Sequence, residues 1–399
     1  MLMHLLKSLW KRKTKHMMIS MEIMLIFIVI FAVTVGVVYN VRLYHRPLGF
    51  EVQDRWRVAL QASDGGLNQV NPQLVDNFRR SLLALPEVES VSFVQYEPYS
   101  NSAFIGDYRR LDQDKKTSTY FMSMDDEAAK VIGIPLTQGR WFSNVDEGQA
   151  ETTVVINRRL AETLFPNENP IGKSITTASQ DEKDQKMSRI VGVVESYRYF
   201  GEFMGDEKIA LFRHSAISQA PLQTMVIKVK PGTPRHFEIK LYQQLKLIRN
   251  DMEYGITTLD EERNEIMRQK ASFFVPPILI AGFLLIMVSF GLFGVLWQNT
   301  TSRIPELGLR RAVGASSTNI YTQIVLEQAL LSSLAMALGL VFLIQLPFTG
   351  IFAKFMDWSS FFLSAAISMC VIYLVSLICS LYPAWMASQM SPTEALHYE

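Results

Sequence analysis

The sequence predicts an α-helical membrane protein with four transmembrane helices and one large extracytoplasmic α+β domain. Of its 399 residues, 49% are hydrophobic and only 19% are charged, whereas soluble domains have about 25% charged residues. The apolar residues are concentrated in four long uncharged runs. Between the first two runs, residues 42–270 alternate strand and helix patterns, as a folded α+β domain does. A soluble protein with four such buried helices is the less favoured alternative.

Each uncharged run is long enough to cross a bilayer, which takes about 18–20 apolar residues. The runs are residues 23–41, 271–297, 329–348 and 358–385. We therefore predict transmembrane helices at residues 18–41, 271–299, 320–347 and 358–383. The first run exceeds the apolar region of a signal peptide, and no small-residue cleavage site follows it, which favours a retained anchor.

Lys and Arg near the ends of the runs predict the orientation, because cytoplasmic loops are enriched in them. They are frequent before the first run and between the second and third, whereas the loop after the third run has only Lys354; the basic residues are Lys7, Lys11, Arg12, Lys13, Lys15, Arg303, Arg310 and Arg311. We therefore expect residues 1–17 and the tail 384–399 in the cytoplasm, and residues 42–270 outside it.

The predicted outer domain contains the order strand, helix, strand twice. The first copy comprises residues 55–62, 71–85 and 88–95, and the second comprises residues 222–230, 234–249 and 256–259. Because helical spacing places the apolar residues on one face of each helix, both helices can cover one sheet. We predict a split βαβ layer formed by residues 50–115 and 216–262.

Residues 120–212 lie between the two copies and predict a β-rich insertion. Strand patterns occur at residues 139–142, 153–157 and 189–197, and a helix at 158–164 ends before Phe165-Pro166.

The stretch NENPIGKS (Asn167–Ser174) ends like a phosphate-binding loop. Such a loop needs a Gly five residues before Gly172, where this chain has Asn167, and Pro170 removes a backbone donor. We therefore predict an ordinary turn between the helix and a strand that starts near Lys173.

The segment at residues 302–318 predicts a separate short helix between the second and third spans. Pro305 suits a first helical turn, Glu306 complements the positive helix N-terminus, and Arg310 and Arg311 complement the C-terminus. Gly314 suits a left-handed end of the helix.

Ser316 or Ser317 can then cap the third span. The apolar positions of the short helix are Leu307, Leu309, Ala312 and Val313. From the residues alone, it is either an interfacial helix anchored in lipid or a docking element for a cytoplasmic protein.

Three separated motifs resemble the MacB/FtsX-like ABC transporter permeases. ELGLRRAVGAS is similar to the family's sequence between spans two and three, and YPAWMASQMSPTEALHYE resembles its C-terminal pattern. GRWF, VVINRRLAETLFPNENPIGKSI and RIVGVVESYRYFGEF resemble its MacB-like periplasmic core domain. The resemblance extends over essentially the whole chain.

The resemblance implies a permease in the bacterial inner membrane that pairs with a second copy or a related permease. The short helix would be a coupling helix in contact with an ABC ATPase. Residues carried over as that contact are Glu306, Leu307, Gly308, Arg310, Arg311, Ala312, Gly314 and Ala315. Since only 22 residues precede the first uncharged run, we expect the ATPase, with its ATP and Mg²⁺, to be a separate chain. A periplasmic adaptor, a lipoprotein or a hydrolase are further expected partners.

Several charged and proline residues lie in or near the predicted spans. Glu22 and Glu327 are expected near the cytoplasmic interface, where snorkelling or a pair with Arg310 or Arg311 would stabilise them. Pro276-Pro277 is more readily a helix start than a bend in a longer helix.

The sequence has no positive signal for enzyme chemistry. The six histidines lack metal-ligand spacing, and HExxH and GxSxG are absent. Cys370 and Cys379 lie too far apart on one helix for a disulfide, and a net charge of +1 disfavours nucleic acid. We expect a non-catalytic subunit, without its own cofactor or metal, that couples ATP hydrolysis to export, lipoprotein handling or control of a cell-wall hydrolase. The alternative is a non-transporting signalling or scaffold protein whose outer domain binds a ligand.

Overall fold

The computed structural model of the chain describes residues 13–62, 72–178, 186–214, 223–350, 352 and 356–389. Residues 1–12 of the predicted N-terminal segment, Lys354 and residues 390–399 of the predicted tail lie outside that part of the chain. Two compact units are present: a membrane unit (Met1–Arg42 and Ala271–Glu399) and an outer unit (Leu43–Lys270).

The described residues form α-helices and β-strands with the following bounds. The helices are α1 (Lys13–Tyr44), α2 (Pro72–Leu83), α3 (Ala128–Ile132), α4 (Arg158–Leu164), α5 (Phe237–Ile248), α6 (Leu259–Thr301), α7 (Ile304–Ala312), α8 (Ser317–Leu343), α9 (Gln345–Thr349) and α10 (Trp358–Gln389). The strands are β1 (Arg55–Ala62), β2 (Val88–Val94), β3 (Phe104–Arg110), β4 (Thr117–Met124), β5 (Leu136–Gly139), β6 (Thr152–Asn157), β7 (Ser174–Thr177), β8 (Met187–Val194), β9 (Ile209–Arg213), β10 (Thr224–Val229) and β11 (Met252–Thr258).

The two predicted strand–helix–strand copies interleave in one layer of the outer unit. The strand order is β11-β1-β10-β2, and neighbouring strands are antiparallel. β1 and β2 come from the first copy, whereas β10 and β11 come from the second. The predicted split βαβ layer is therefore confirmed. β11 begins four residues earlier than predicted, at Met252.

Helices α2 and α5 bury their apolar faces against this layer. Their buried side chains, spaced three and four residues apart as predicted, join strand residues in one core; they include Phe78 and Leu82 of α2 and Phe237, Leu241 and Leu245 of α5. Burying each such side chain contributes about 1.5–3 kcal/mol relative to leaving it exposed.

The β-rich insertion closes into a ring of six strands. β4 pairs with β3, β3 with β7, β7 with β8, β8 with β6, β6 with β9, and β9 returns to β4. One apolar cluster takes residues from all six strands and from α4. The ring includes β3 at Phe104–Arg110, which precedes the expected start of the insertion near residue 120. Most β3 side chains are not buried, so its apolar pattern is weak in the sequence.

The NENPIGKS stretch forms the predicted turn between α4 and β7. Its backbone N–H groups donate to acceptors within the domain: Ile171 to the Asn169 side chain (3.0 Å), Gly172 to the Ile190 carbonyl (2.8 Å) and Lys173 to the Pro170 carbonyl (3.1 Å). The Lys173 ammonium pairs with Glu168. The donors that a phosphate would need are therefore engaged within the protein.

The loop between β5 and β6 is held by a buried carboxylate. Both oxygens of Asp146 accept hydrogen bonds from the Arg140 guanidinium, at 2.7 and 2.5 Å, and the Ser143 N–H donates to one of them at 3.0 Å. The Asp146 side chain is fully buried. The hydrogen bonds from Arg140 lower the pKa of Asp146, although burial opposes them.

We expect Asp146→Asn to lower the free energy of unfolding of the outer unit by about 1–3 kcal/mol at pH 7, because a charge-assisted bidentate contact is lost. Since the folded-state pKa of Asp146 is below that of the unfolded chain, its stabilisation is present above about pH 4 and is lost as the pH falls further. Urea unfolding of a 43–270 fragment, followed by tryptophan fluorescence at several pH values, measures this difference.

Asp114→Asn is the matched control, because the Asp114 side chain is fully exposed and lies 3.6 Å from Arg109. An equal loss of stability in both variants would contradict the role assigned to Asp146.

The membrane unit contains the predicted spans. Four helical stretches among the described residues are long and apolar enough to cross a bilayer, namely Ile19–Tyr44, Leu259–Gln298, Ser317–Thr349 and Trp358–Gln389. α10 continues beyond the predicted end at residue 383, so residues 384–389 of the predicted tail are helical. This extension is stabilised because Ala384 and Ala387 pack against other helices.

The prediction that Pro276-Pro277 starts a helix is wrong. Both prolines lie inside α6, which begins at Leu259. The helix start is a capping box: the Glu261 carboxylate accepts from the Thr258 N–H at 2.9 Å, and the Thr258 hydroxyl accepts from the Glu261 N–H at 3.2 Å. This Thr-x-x-Glu signal precedes the prolines in the sequence and identifies the true N-terminus.

Small polar residues line the buried face of α10. Serines recur at intervals of four residues along much of this face, at positions 360, 364, 368, 376 and 380, and all five are buried. The Ser332 hydroxyl of α8 donates to Ser376 at 2.9 Å. Small side chains let transmembrane helices approach closely, so this face packs by contact and hydrogen bonding.

Gly339 allows α8 to approach α1. A Cβ atom at Gly339 would lie 2.7 Å from the ring of Phe27, whose side chain is fully buried. By contrast, a Cβ atom at Gly282 of α6 would meet no atom of the described residues within 4 Å. The two glycines therefore have different roles although both lie in predicted spans.

We expect Gly339→Leu to destabilise the membrane unit by about 1–3 kcal/mol, because the larger side chain forces Phe27 out of its packed position. Thermal denaturation of the full chain in detergent, followed by size-exclusion chromatography, measures the loss. Gly282→Leu is the control and should denature at the wild-type temperature. Equal denaturation temperatures for the two variants would contradict the assigned α1–α8 contact.

Candidate functional site

α7 is a separate nine-residue helix between two candidate spans. α6 ends at Thr301, and Pro305 lies in the first turn of α7, as predicted. Gly314 has a φ of +104°, and its N–H donates to the Arg311 carbonyl at 3.0 Å. The Ser316 hydroxyl then caps α8 by accepting from the Asn319 N–H at 3.2 Å. Of the two predicted caps, Ser316 is the one used.

The inward face of α7 packs against two other helices. Ile304, Leu307 and Gly308 are buried. Leu307 is 3% exposed and forms one cluster with Ile320 and Ile324 of α8 and Ala384 and Ala387 of α10. This contact places one side of α7 against the other two helices.

The outward face of α7 is partly apolar. Leu309 is 61% exposed and Val313, just after the helix, is 83% exposed. Together with the exposed Pro305, they recur at intervals of four residues and so lie on one face. We call Pro305, Leu309 and Val313 the outward stripe. Exposed apolar side chains in a row are typical of an interaction surface.

The predicted contact residues divide between the two faces. Leu307 and Gly308 are buried on the side of α7 that faces the other helices. Glu306, Ala312 and Gly314 are exposed, and Arg310, Arg311 and Ala315 are partly exposed. Leu309 and Val313 were predicted only as apolar positions of the helix. Their four-residue spacing was visible in the sequence, but which face is buried was not.

The charged groups of α7 make contacts within the membrane unit. Arg310 donates to Glu306 at 2.7 Å and to Gln323 at 2.9 Å, and Arg311 donates to the Ser388 carbonyl at 2.9 Å. The predicted pair of Glu327 with Arg310 or Arg311 is wrong. The Glu327 carboxylate pairs with Arg303 at 2.6 Å, because Arg303 precedes α7 on the side that faces α8.

Glu22 of α1 lies against α6. A Cβ atom at Gly291 would be 2.6 Å from a Glu22 carboxylate oxygen. The glycine therefore gives this carboxylate room beside the helix, and a larger residue at position 291 would displace it.

Two family models match the chain and together cover most of its length. The model for the MacB-like periplasmic core domain matches residues 23–235, and the model for the FtsX-like permease C-terminal region matches residues 278–392. The chain is a MacB/FtsX-like ABC transporter permease. The match to the C-terminal model includes α7 and the two helices that pack against it.

Named relatives of this permease are exporters fused to ATP-binding domains. The macrolide export ATP-binding/permease protein MacB of Mannheimia succiniciproducens is 25% identical over 300 residues, which are 71% of this chain and 44% of the relative. The probable syringafactin export ATP-binding/permease protein SyfD of Pseudomonas syringae pv. tomato is 24% identical over 305 residues, with 72% and 43% covered. The permease thus spans less than half the length of these relatives.

Solved structures of outer domains also match the permease. The periplasmic region of MacB from Actinobacillus actinomycetemcomitans is 17% identical, covers 57% of this chain and 98% of its own, and gives a TM-score of 0.40. The extracellular domain of the transporter YknZ from Gram-positive bacteria is 12% identical, covers 51% and 100%, and gives a TM-score of 0.35.

Proposed function

We propose that this permease is the membrane subunit of an ABC exporter and that the outward stripe of α7 docks on a cytoplasmic ATPase. The observation that carries the proposal is the exposure of Leu309 and Val313 on a helix whose opposite face is buried. Apolar side chains on a short, rigidly supported helix suit insertion into a groove of a partner protein. ATP and Mg²⁺ would bind to that ATPase.

The distribution of basic residues supports a cytoplasmic position for α7. Arg303, Arg310 and Arg311 lie at or next to this helix, and short loops rich in Lys and Arg stay in the cytoplasm. With four spans, both chain termini would then face the cytoplasm. The outer unit would lie in the periplasm or outside the cell. We place the protein in the bacterial inner membrane.

The attachment of α6 supports a transfer of motion to the outer unit. Near its start, Glu262 pairs with Arg57 of β1 at 3.0 Å, and Arg263 pairs with the buried Glu202 at 2.6 Å. Ile266 is buried in a further apolar cluster of the outer unit, which takes residues from β2, β4 and β8. We propose that α6, which continues as one helix to Thr301, is the element that transmits this motion.

The names of the relatives support export rather than lipoprotein handling or control of a hydrolase. We further propose that two permeases, either two copies or this chain with a related one, combine with two ATPase subunits. An adaptor or another periplasmic protein would then bind the outer unit.

We expect the double variant Leu309→Glu, Val313→Glu to reach the membrane normally, because both side chains are exposed, but to lose co-purifying ATPase by about tenfold or more. The tagged full chain is purified from native membranes in mild detergent. ATP hydrolysis and mass spectrometry then identify and quantify the bound ATPase. Charge reversal at Arg310 and Arg311 is a poorer test, since both residues also hold α7 in place.

The matched control is Thr318→Glu, Asn319→Glu, which adds the same charge to exposed positions in the first turn of α8. Wild-type ATPase yield with the Leu309 and Val313 variant would refute docking through the outward stripe, and an equal loss in the control would point to a general charge effect. If the wild-type chain brings down no ATPase, the signalling or scaffold alternative replaces the proposal.

A further inference from the structure

Five polar side chains of the membrane unit form a closed ring between α7 and α8. Glu327 accepts from Arg303 at 2.6 Å and from Gln323 at 3.0 Å. Arg310 donates to Gln323 at 2.9 Å and to Glu306 at 2.7 Å. Glu306 closes the ring with a 3.5 Å contact to Arg303. Every member therefore contacts two others.

The two halves of this ring differ in exposure. The side chains of Arg303 and Glu327 are 17% and 12% exposed, whereas those of Glu306 and Arg310 are 44% and 41% exposed. Exposed ion pairs contribute little to stability because water and salt screen them. Removing one member of a buried pair is costly, since the remaining charge loses its partner. Arg303 and Glu327 are therefore the energetically important half.

The ring restrains the rotation of α7 on α8, which apolar packing alone leaves free. α7 has nine residues and is too short to be stable by itself, so its place depends on its neighbours. The contact of Leu307 with α8 and α10 holds α7 close but has little directional preference. Hydrogen bonds are directional, and those of the ring join α7 to α8 at two places, at Arg303 just before its start and at Arg310 in its last turn.

We infer that Arg303 and Glu327 are positioning residues that fix the rotation of α7 on α8 and thereby keep Leu309 and Val313 facing outward. This inference rests on the proposed docking function, which gives the orientation its purpose. In the absence of the pair, Ile304 and Leu307 could still be buried after a partial rotation. The outward stripe would then no longer be presented to a partner.

The rotation of α7 can be measured without any ATPase. Cys370 and Cys379 are first replaced by Ala, and a single cysteine is placed at position 307, which is buried, or at position 309, which is exposed. In the detergent-solubilised full chain, a maleimide should label position 309 much faster than position 307. We expect Glu327→Gln to reduce this ratio of rates by about fivefold or more, because α7 is then held less firmly.

Two further variants serve as controls. Glu306→Gln removes the exposed carboxylate of the ring but leaves the pair of Arg303 and Glu327 in place, so it should change the ratio by less than about twofold. The exchanged pair Arg303→Glu, Glu327→Arg restores opposite charges and should return the ratio towards the wild-type value. It also keeps the inference testable if Glu327→Gln does not fold. An unchanged ratio of labelling rates in Glu327→Gln would overturn the inference. So would a ratio for the exchanged pair that is no closer to the wild-type value than the ratio for Arg303→Glu alone.

The same variants separate this inference from the docking proposal. With the outward stripe intact, Glu327→Gln should also lower the yield of co-purified ATPase, and the exchanged pair should recover it. If the labelling ratio falls while the ATPase yield stays at the wild-type level, the ring fixes α7 as inferred but docking through the stripe is wrong.

Discussion

The burial of Leu307 between α8 and α10 is the interaction that holds α7 against the rest of the membrane unit. A nine-residue helix has a marginal stability in water, and its apolar residues would not by themselves select one orientation. Ala384 and Ala387 have small side chains, so α10 can approach Leu307 closely. Because one face of α7 is buried in this way, the opposite face, with Leu309 and Val313, is exposed.

The two units of the chain are stabilised by different means. In the outer unit, large side chains such as Phe78, Phe93 and Trp56 fill cores between a sheet and its helices. Lipid tails are as apolar as leucine side chains, so the burial of apolar surface contributes little to the association of helices in the membrane unit. The serines of α10 and Gly339 of α8 instead permit close contact, which favours dispersion and hydrogen bonds between helices.

Two charged pairs of the membrane unit each include a residue close to a helix end. Arg42, near the end of α1, donates to Asp357, just before α10, at 3.0 Å. Arg303 and Glu327 pair near the opposite end of the bundle. A charge is costly in the centre of a bilayer but less so near the interface. These pairs therefore hold helix ends in register without placing unpaired charge in the apolar region.

The interleaved layer explains how the outer unit carries a large insertion. β10 lies between β1 and β2, so the chain must return from the insertion before the layer is complete. The ring of six strands has its own apolar cluster, which is separate from the cluster beneath α2 and α5. The start of α6 then follows β11 directly.

Local signals in the sequence determined the four spans, the two strand–helix–strand copies and the existence of α7. Hydrophobic periodicity and the residues Pro305, Gly314 and Ser316 affect only positions close to them in the sequence. They can therefore be interpreted without knowing which other elements pack nearby. The start of α6 has a local signal too, in the capping box of Thr258 and Glu261, whereas Pro276-Pro277 lies inside the helix.

Only the tertiary structure decided which face of α7 is buried, which arginine pairs with Glu327, and that β3 belongs to the ring of strands. Each of these depends on residues that are distant in the sequence. Leu307 and Leu309 are equally apolar, and Arg303, Arg310 and Arg311 are equally charged. Their different roles arise because α8 and α10 lie on one side of α7, and no local pattern specifies that side.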